Sequence, residues 1–192
     1  MVLFGCSSVP RVRGPGVWMR RCGGGHDGPR MTNLHLAQIN IGRMKAPLDD
    51  PSMAGFMSRL ADLNALADRS ECFVWRLQGD EGNNTYLRPY EDERIIVNMS
   101  VWESLDQLHA YVYSTEHAEM LKQRRDWFEK FDRMFLALWW IPAGHIPTVD
   151  QAKKRLALLE THGPTPFAFT FKTAFPPILE VVSAEWLRAP VS

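Results

Sequence analysis

On a helix that advances about 100° per residue, His117, Leu121, Arg124, Phe128 and Phe131 fall within a stripe of roughly 80°. An imidazole and a guanidinium would then point the same way as three large apolar side chains. An arginine buried without a partner costs several kcal/mol, so Arg124 in that setting must meet a carboxylate, a carbonyl cluster or a bound anion. A histidine beside it is the side chain best suited to move a proton near neutral pH. The pair is therefore expected to be catalytic, with His117 as general base or haem-facing ligand and Arg124 as anion anchor. The plainer reading is a structural hydrogen-bond network, since buried networks also perturb titrating groups.

Such a helix needs a sheet beneath it. Leu34 to Arg43 alternates as a strand, with Leu34, Leu36, Gln38 and Asn40 on one side and His35, Ala37, Ile39 and Ile41 on the other. Arg94 to Trp102 alternates too, setting Ile96, Asn98, Ser100 and Trp102 on one face. Each strand thus has one face that mixes polar with apolar residues. A pocket between helix and sheet is expected, with Asn98, Ser100 and Trp102, joined by Gln38 and Asn40, as ligand-binding residues below His117 and Arg124. Trp140, at the end of the apolar run MFLALWWI, and His145, in the loop PAGHIP beyond it, complete the candidate ligand-binding set. No metal site is expected, because none of the six histidines has HxxxH or carboxylate spacing. Gly23 to Gly25 follow no strand and precede no Lys, so they make no phosphate loop, and no nucleophile elbow is present.

The remaining elements follow from local signals. Asp50 and Pro51 open an amphipathic helix to about Asp68, and Glu71 to Gln78 reads as a strand. Ser104 with Gln107 caps a short helix, and a second begins near Ser114 or Thr115. MFLALWWI is a strand. Thr148 with Gln151 caps another helix, which stops at Gly163, and Ala168 to Phe171 reads as a short last strand. The order β, α, β, β, αα, β, then α, β is α+β: a ferredoxin-like split βαβ sheet with helices on one face. The other apolar face needs a cover, and a homodimer through it is expected.

Composition narrows the class. The chain has 192 residues, 45% hydrophobic and 23% charged, which suits one soluble domain. No apolar run approaches the roughly 18 residues that would cross a membrane as a helix. Residues 1–30 are rich in Gly, Pro and Arg and are expected to be a disordered extension, followed by the domain over 31–176 and a Pro-broken tail over 177–192. The extension holds five arginines and one aspartate, which leaves 17 basic and 21 acidic residues elsewhere, a net of −4. That balance speaks against nucleic acid as a partner. Cys6, Cys22 and Cys72 form no zinc or disulfide pattern, Cys72 reads as a small buried hydrophobe, and a cytoplasmic location is expected.

The segments HLAQINIGR, FVWRLQ, NMSVWES, STEHAEMLKQRRDWFEKF, LWWIPAGHIPT and GPTPFAFTF resemble a widespread bacterial family of uncharacterised domains. That family is similar to the dimeric α+β barrel superfamily, which includes antibiotic-biosynthesis and haem-degrading monooxygenases. The resemblance implies a dimeric α+β barrel that binds a small molecule, with a cofactor-independent monooxygenase or isomerase acting on an aromatic or polycyclic substrate as the enzymatic reading. A non-catalytic ligand-binding or structural homodimer is the alternative. The haem-degrading relatives bring haem into view, but no motif of this chain supports it, and no built-in cofactor is expected.

Overall fold

A computed structural model describes residues 34–78, 89–178 and 182. The expected extension over 1–30 and most of the tail lie outside the described residues. The elements are β1 (Leu34–Arg43), α1 (Ala54–Arg69, entered through a 3-10 turn at Pro51–Met53), β2 (Phe73–Arg76), β3 (Ile95–Trp102), α2 (Leu105–Val112), α3 (Thr115–Trp127), β4 (Leu136–Pro142) and α4 (Val149–His162). The four strands form one sheet in the order β2-β3-β1-β4 with antiparallel neighbours throughout. This is the ferredoxin-like arrangement of an α+β fold, two interleaved split βαβ units.

Side chains form the helix boundaries as expected. Asp50 accepts from Ser52 N–H at 2.8 Å ahead of α1, and Ser104 caps α2. Thr148 and Gln151 make a reciprocal capping box on α4, which ends at Gly163 with φ +70°. Strand lengths differ from expectation. β2 loses its ends because Cys72 takes φ 60° and the register shifts between Phe73 and Trp75. The stretch Ala168 to Phe171 is reduced to a bridge in which Leu138 and Phe169 exchange N–H···O bonds of 2.8 and 2.9 Å. Cys72 is half-buried and disulfide-bonded rather than a lone buried thiol, so cysteine usage no longer speaks for a reducing compartment.

The sheet buries both faces. On one, Leu34, Leu36, Trp102, Leu138 and Trp140 pack with Ala67, Leu108 and Tyr111, while Ile96 packs with Phe56, Leu60, Leu63, Met120 and Trp127. These contacts come from α1, α2 and α3. On the other face Ala37, Ile39, Val97, Met99, Trp139 and Ile141 pack with Ala152, Leu156 and Leu159 of α4. Helices therefore lie on both faces, not one. The face expected to await a second protomer is covered from within the chain, which removes the reason given for a homodimer there.

The second correction concerns α3. The helix stops at Trp127, and Phe128 is extended, bridging Met44 while Lys45 N–H donates to Trp127 O and Glu129 N–H donates to Arg43 O. The chain leaves the helix to extend the β1 end of the sheet, held there by Arg43 with Asp92 and Glu129 at 2.6 and 2.9 Å. Phe128 and Phe131 thus never join a helical stripe.

Candidate functional site

Along β3 the side chains facing α1, α2 and α3 run Ile96, Asn98, Ser100, Trp102, and the two outer ones belong to different apolar clusters. Asn98 and Ser100 lie between those clusters. Their register partners on β1 are Asn40 and Gln38, so period-2 alternation in both strands sets four neutral polar side chains in one band. Cross-strand bonds knit the band: Asn98 Nδ2 donates to Asn40 Oδ1 at 2.7 Å, Ser100 Oγ donates to Gln38 Oε1 at 2.8 Å, and Trp102 Nε1 donates to Ser100 Oγ at 2.9 Å.

The helices add polar groups to the cover of this face. His117 on α3 is fully buried, its ring 5.1 Å from that of Tyr111 and its Nδ1 2.9 Å from Val112 O. Burial holds its pKa down at about 4, against a smaller upward pull from the Val112 bond. The imidazole is therefore neutral at pH 7, with the Nδ1 proton donated to Val112 and Nε2 in the acceptor form. Tyr111 donates to Leu63 O at 3.2 Å, and burial pushes its ionisation up. Asn64 on α1 is only 3% exposed, and neither of its amide atoms has a hydrogen-bond partner.

The expected set is thus brought together in part. Gln38, Asn40, Asn98, Ser100 and Trp102 share one face, and His117 is buried beside Tyr111, whose ring lies 5.1 Å from that of Trp102. Arg124, expected as the catalytic anion anchor, is exposed: Met120 and Trp127 are the buried apolar side chains of α3, and Phe128 packs from the extended segment after it. Trp140 packs against Phe169 and donates to Phe175 O at 2.9 Å, at the β4 edge. His145 sits in the β4–α4 turn, where Nε2 lies 3.2 Å from Gln151 Oε1, a helix-capping position. Among the described residues no three His, Cys, Asp or Glu side chains gather as metal ligands.

Among the described residues three buried polar ones escaped the sequence reading: Asn64, Arg76 and, on α4, Arg155. Asn64 stands among Leu60, Leu63 and Ala67, a spacing that could have shown it facing inward. Arg76, in register with Ser100, is 7% exposed and bidentate to Asp68 at 2.8 and 3.1 Å. Asp68→Asn would leave that guanidinium without its counter-charge. Breaking a fully buried pair costs about 3–5 kcal/mol. The 38% exposure of the Asp68 side chain lets water take part of the load, so a loss of about 2 kcal/mol in urea unfolding is expected. A change under about 0.5 kcal/mol would mean that the pair carries no such load.

The family described as Domain of unknown function (DUF3291) matches over residues 35–183. Among solved structures, the NE2512 protein of unknown function from Nitrosomonas europaea is 10% identical at a TM-score of 0.40, covering 60% of this chain and 97% of that one. A provisionally assigned antibiotic biosynthesis monooxygenase from Chloroflexus aurantiacus J-10-fl is 13% identical at a TM-score of 0.36, covering 59% of this chain and 93% of that one. No curated protein matches the chain. The family match runs from the second residue of β1 past the end of α4, and the chain belongs to the DUF3291 family of uncharacterised domains.

Proposed function

We propose that the chain binds one small, uncharged, aromatic molecule between the polar band of β1 and β3 and the α1–α3 layer. The observation that carries this reading is the buried Asn64 amide: two polar atoms without a partner cost about 1–3 kcal/mol each, a cost that a ligand seated there would offset. The composition of the face agrees with it. Apolar clusters flank a few convergent hydrogen-bonding groups, the usual makeup of a small-molecule site. Its groups are neutral or paired, since His117 is uncharged and Arg76 is matched by Asp68, so the site favours an uncharged guest.

Binding comes before chemistry in this reading. His117 is the group of the site able to exchange a proton, but a pKa of about 4 makes it a weak base at pH 7. An isomerase or cofactor-independent oxygenase step would use it as a hydrogen-bond acceptor and would draw its rate mainly from orientation. The rival reading, a purely structural network, draws on the mutual satisfaction of Gln38, Ser100 and Trp102. Indole and benzoate separate the two. Titrated into nitrogen-15-labelled protein, indole should shift the Trp102 Nε1–H and the Asn98 amide signals and leave Trp75 and Trp139 unmoved, while benzoate does nothing. No shift at Trp102 with indole would leave the structural network standing.

A further inference from the structure

On α1, Leu60 and Leu63 belong to the cluster around Ile96, and Ala67 belongs to the cluster around Trp102. Asn64 lies between them in sequence and is buried with them on the same side of α1. Its amide presents an N–H donor and a carbonyl acceptor side by side, and both are buried and unpartnered.

From this geometry we infer that Asn64 is the specificity-determining residue and that the ligand carries a cis-amide edge, as in an uncharged lactam or imide ring. The inference rests on the small-molecule reading above and adds the chemical class. A cis-amide offers an acceptor and a donor at the spacing of the Asn64 fork, so two hydrogen bonds form at once. A carboxylic acid has the same outline, but at neutral pH it is a carboxylate that cannot donate. No cation stands ready for it, since Arg76 is engaged with Asp68 and Arg124 is exposed. A phenol or simple ketone satisfies one arm of the fork and leaves the other buried and unbonded.

The probe is 2-pyridone, with N-methyl-2-pyridone as the analogue that lacks the donor. In the full-length wild-type protein 2-pyridone should shift the Asn64 side-chain amide signals and bind at least about ten-fold more tightly than the N-methyl compound, the factor expected for one buried hydrogen bond. The near-isostere Asn64→Leu removes the two unpartnered atoms, so the ligand-free variant should melt at a higher temperature while 2-pyridone binding falls at least about ten-fold. Indole, which can meet at most one arm of the fork, should still shift Trp102 in the wild type. Equal binding of the two pyridones to the wild type overturns the inference, even if Asn64→Leu fails to fold. So does 2-pyridone binding unchanged in Asn64→Leu, or a stabilised variant whose parent ignores 2-pyridone, which would assign the Asn64 site to water alone. Indole shifts that persist through such a result leave the small-molecule reading standing, whereas loss of every probe's shifts in the wild type overturns both.

Discussion

Leu156→Asp is expected to cost about 4 kcal/mol and to make the protein self-associate through a newly bared face. Leu156 is buried in α4 against the face formed by Ala37, Ile39, Val97, Met99, Trp139 and Ile141. The substitution removes the transfer energy of one leucine and sets a carboxylate among apolar side chains, so α4 should lift rather than bury the charge. The sheet face then stands bare, a contiguous apolar surface of the kind that finds a second copy. Light scattering at micromolar concentration should give larger species for the variant than for the wild type, with urea unfolding supplying the free energy. A variant that stays folded with the same mass as the wild type would show that α4 is not the cover this face depends on.

That helix also marks what the sequence could and could not reveal about the fold. Period-2 alternation in β1 and β3 and the cap at Thr148–Gln151 are local signals, and they set strands, helix starts and the split βαβ order correctly. Which face α4 covers is not local. Its apolar stripe of Ala152, Leu156 and Leu159 says only that one side must be buried, and a dimer partner or the free sheet face of its own chain would satisfy it equally. Helices enough for only one face had pointed to a partner there, whereas α4 of the same chain covers that face.

The site was legible to the same depth. Gln38, Asn40, Asn98, Ser100 and Trp102 were placed on one face because strand alternation fixes orientation residue by residue. Arg124 lies within α3 yet is exposed: among the described residues of the helix the buried ones are His117, Met120 and Trp127, and the stripe that drew Arg124 inward relied on residues beyond the helix end. Carrying the 100° step past Trp127 brought Phe128 and Phe131 into a stripe that does not exist, and Arg124 followed them inward. Nothing before Phe128 announces the stop, since no Gly or Pro ends α3. The end is set by the backbone bridge to Met44, a contact distant in sequence. His117, the third residue of the helix, kept its expected burial.

His117 alone is expected to remove about 3 kcal/mol of stability as the pH falls from 6.5 to about 4. Burial lowers its folded pKa, so the unfolded chain takes up a proton near pH 6.5 while the folded one does not until about 4. Between those values protons favour the unfolded state. The contribution is whole above pH 6.5, declines by about 1.4 kcal/mol per pH unit through the window, and levels off below it. His35, whose pKa burial also lowers against a smaller opposing pull from Glu103, acts in the same direction, so a His35→Gln background separates the two. Asp50 and Asp92 have depressed pKa values and lose their contributions at still lower pH, outside this window. Replacing His117 by Gln, which can still donate to Val112 O, should flatten the slope seen by urea unfolding at pH 7, 5.5 and 4.5. Equal slopes in the two proteins would mean that the ring is protonated or solvated when folded. The neutral ring sets one further expectation: indole affinity should stay level from pH 8 to pH 5 while stability falls across the lower part of that range. Affinity that fell in step with stability would show that protonation of His117 reaches the ligand directly, and the site would then work as a charged one.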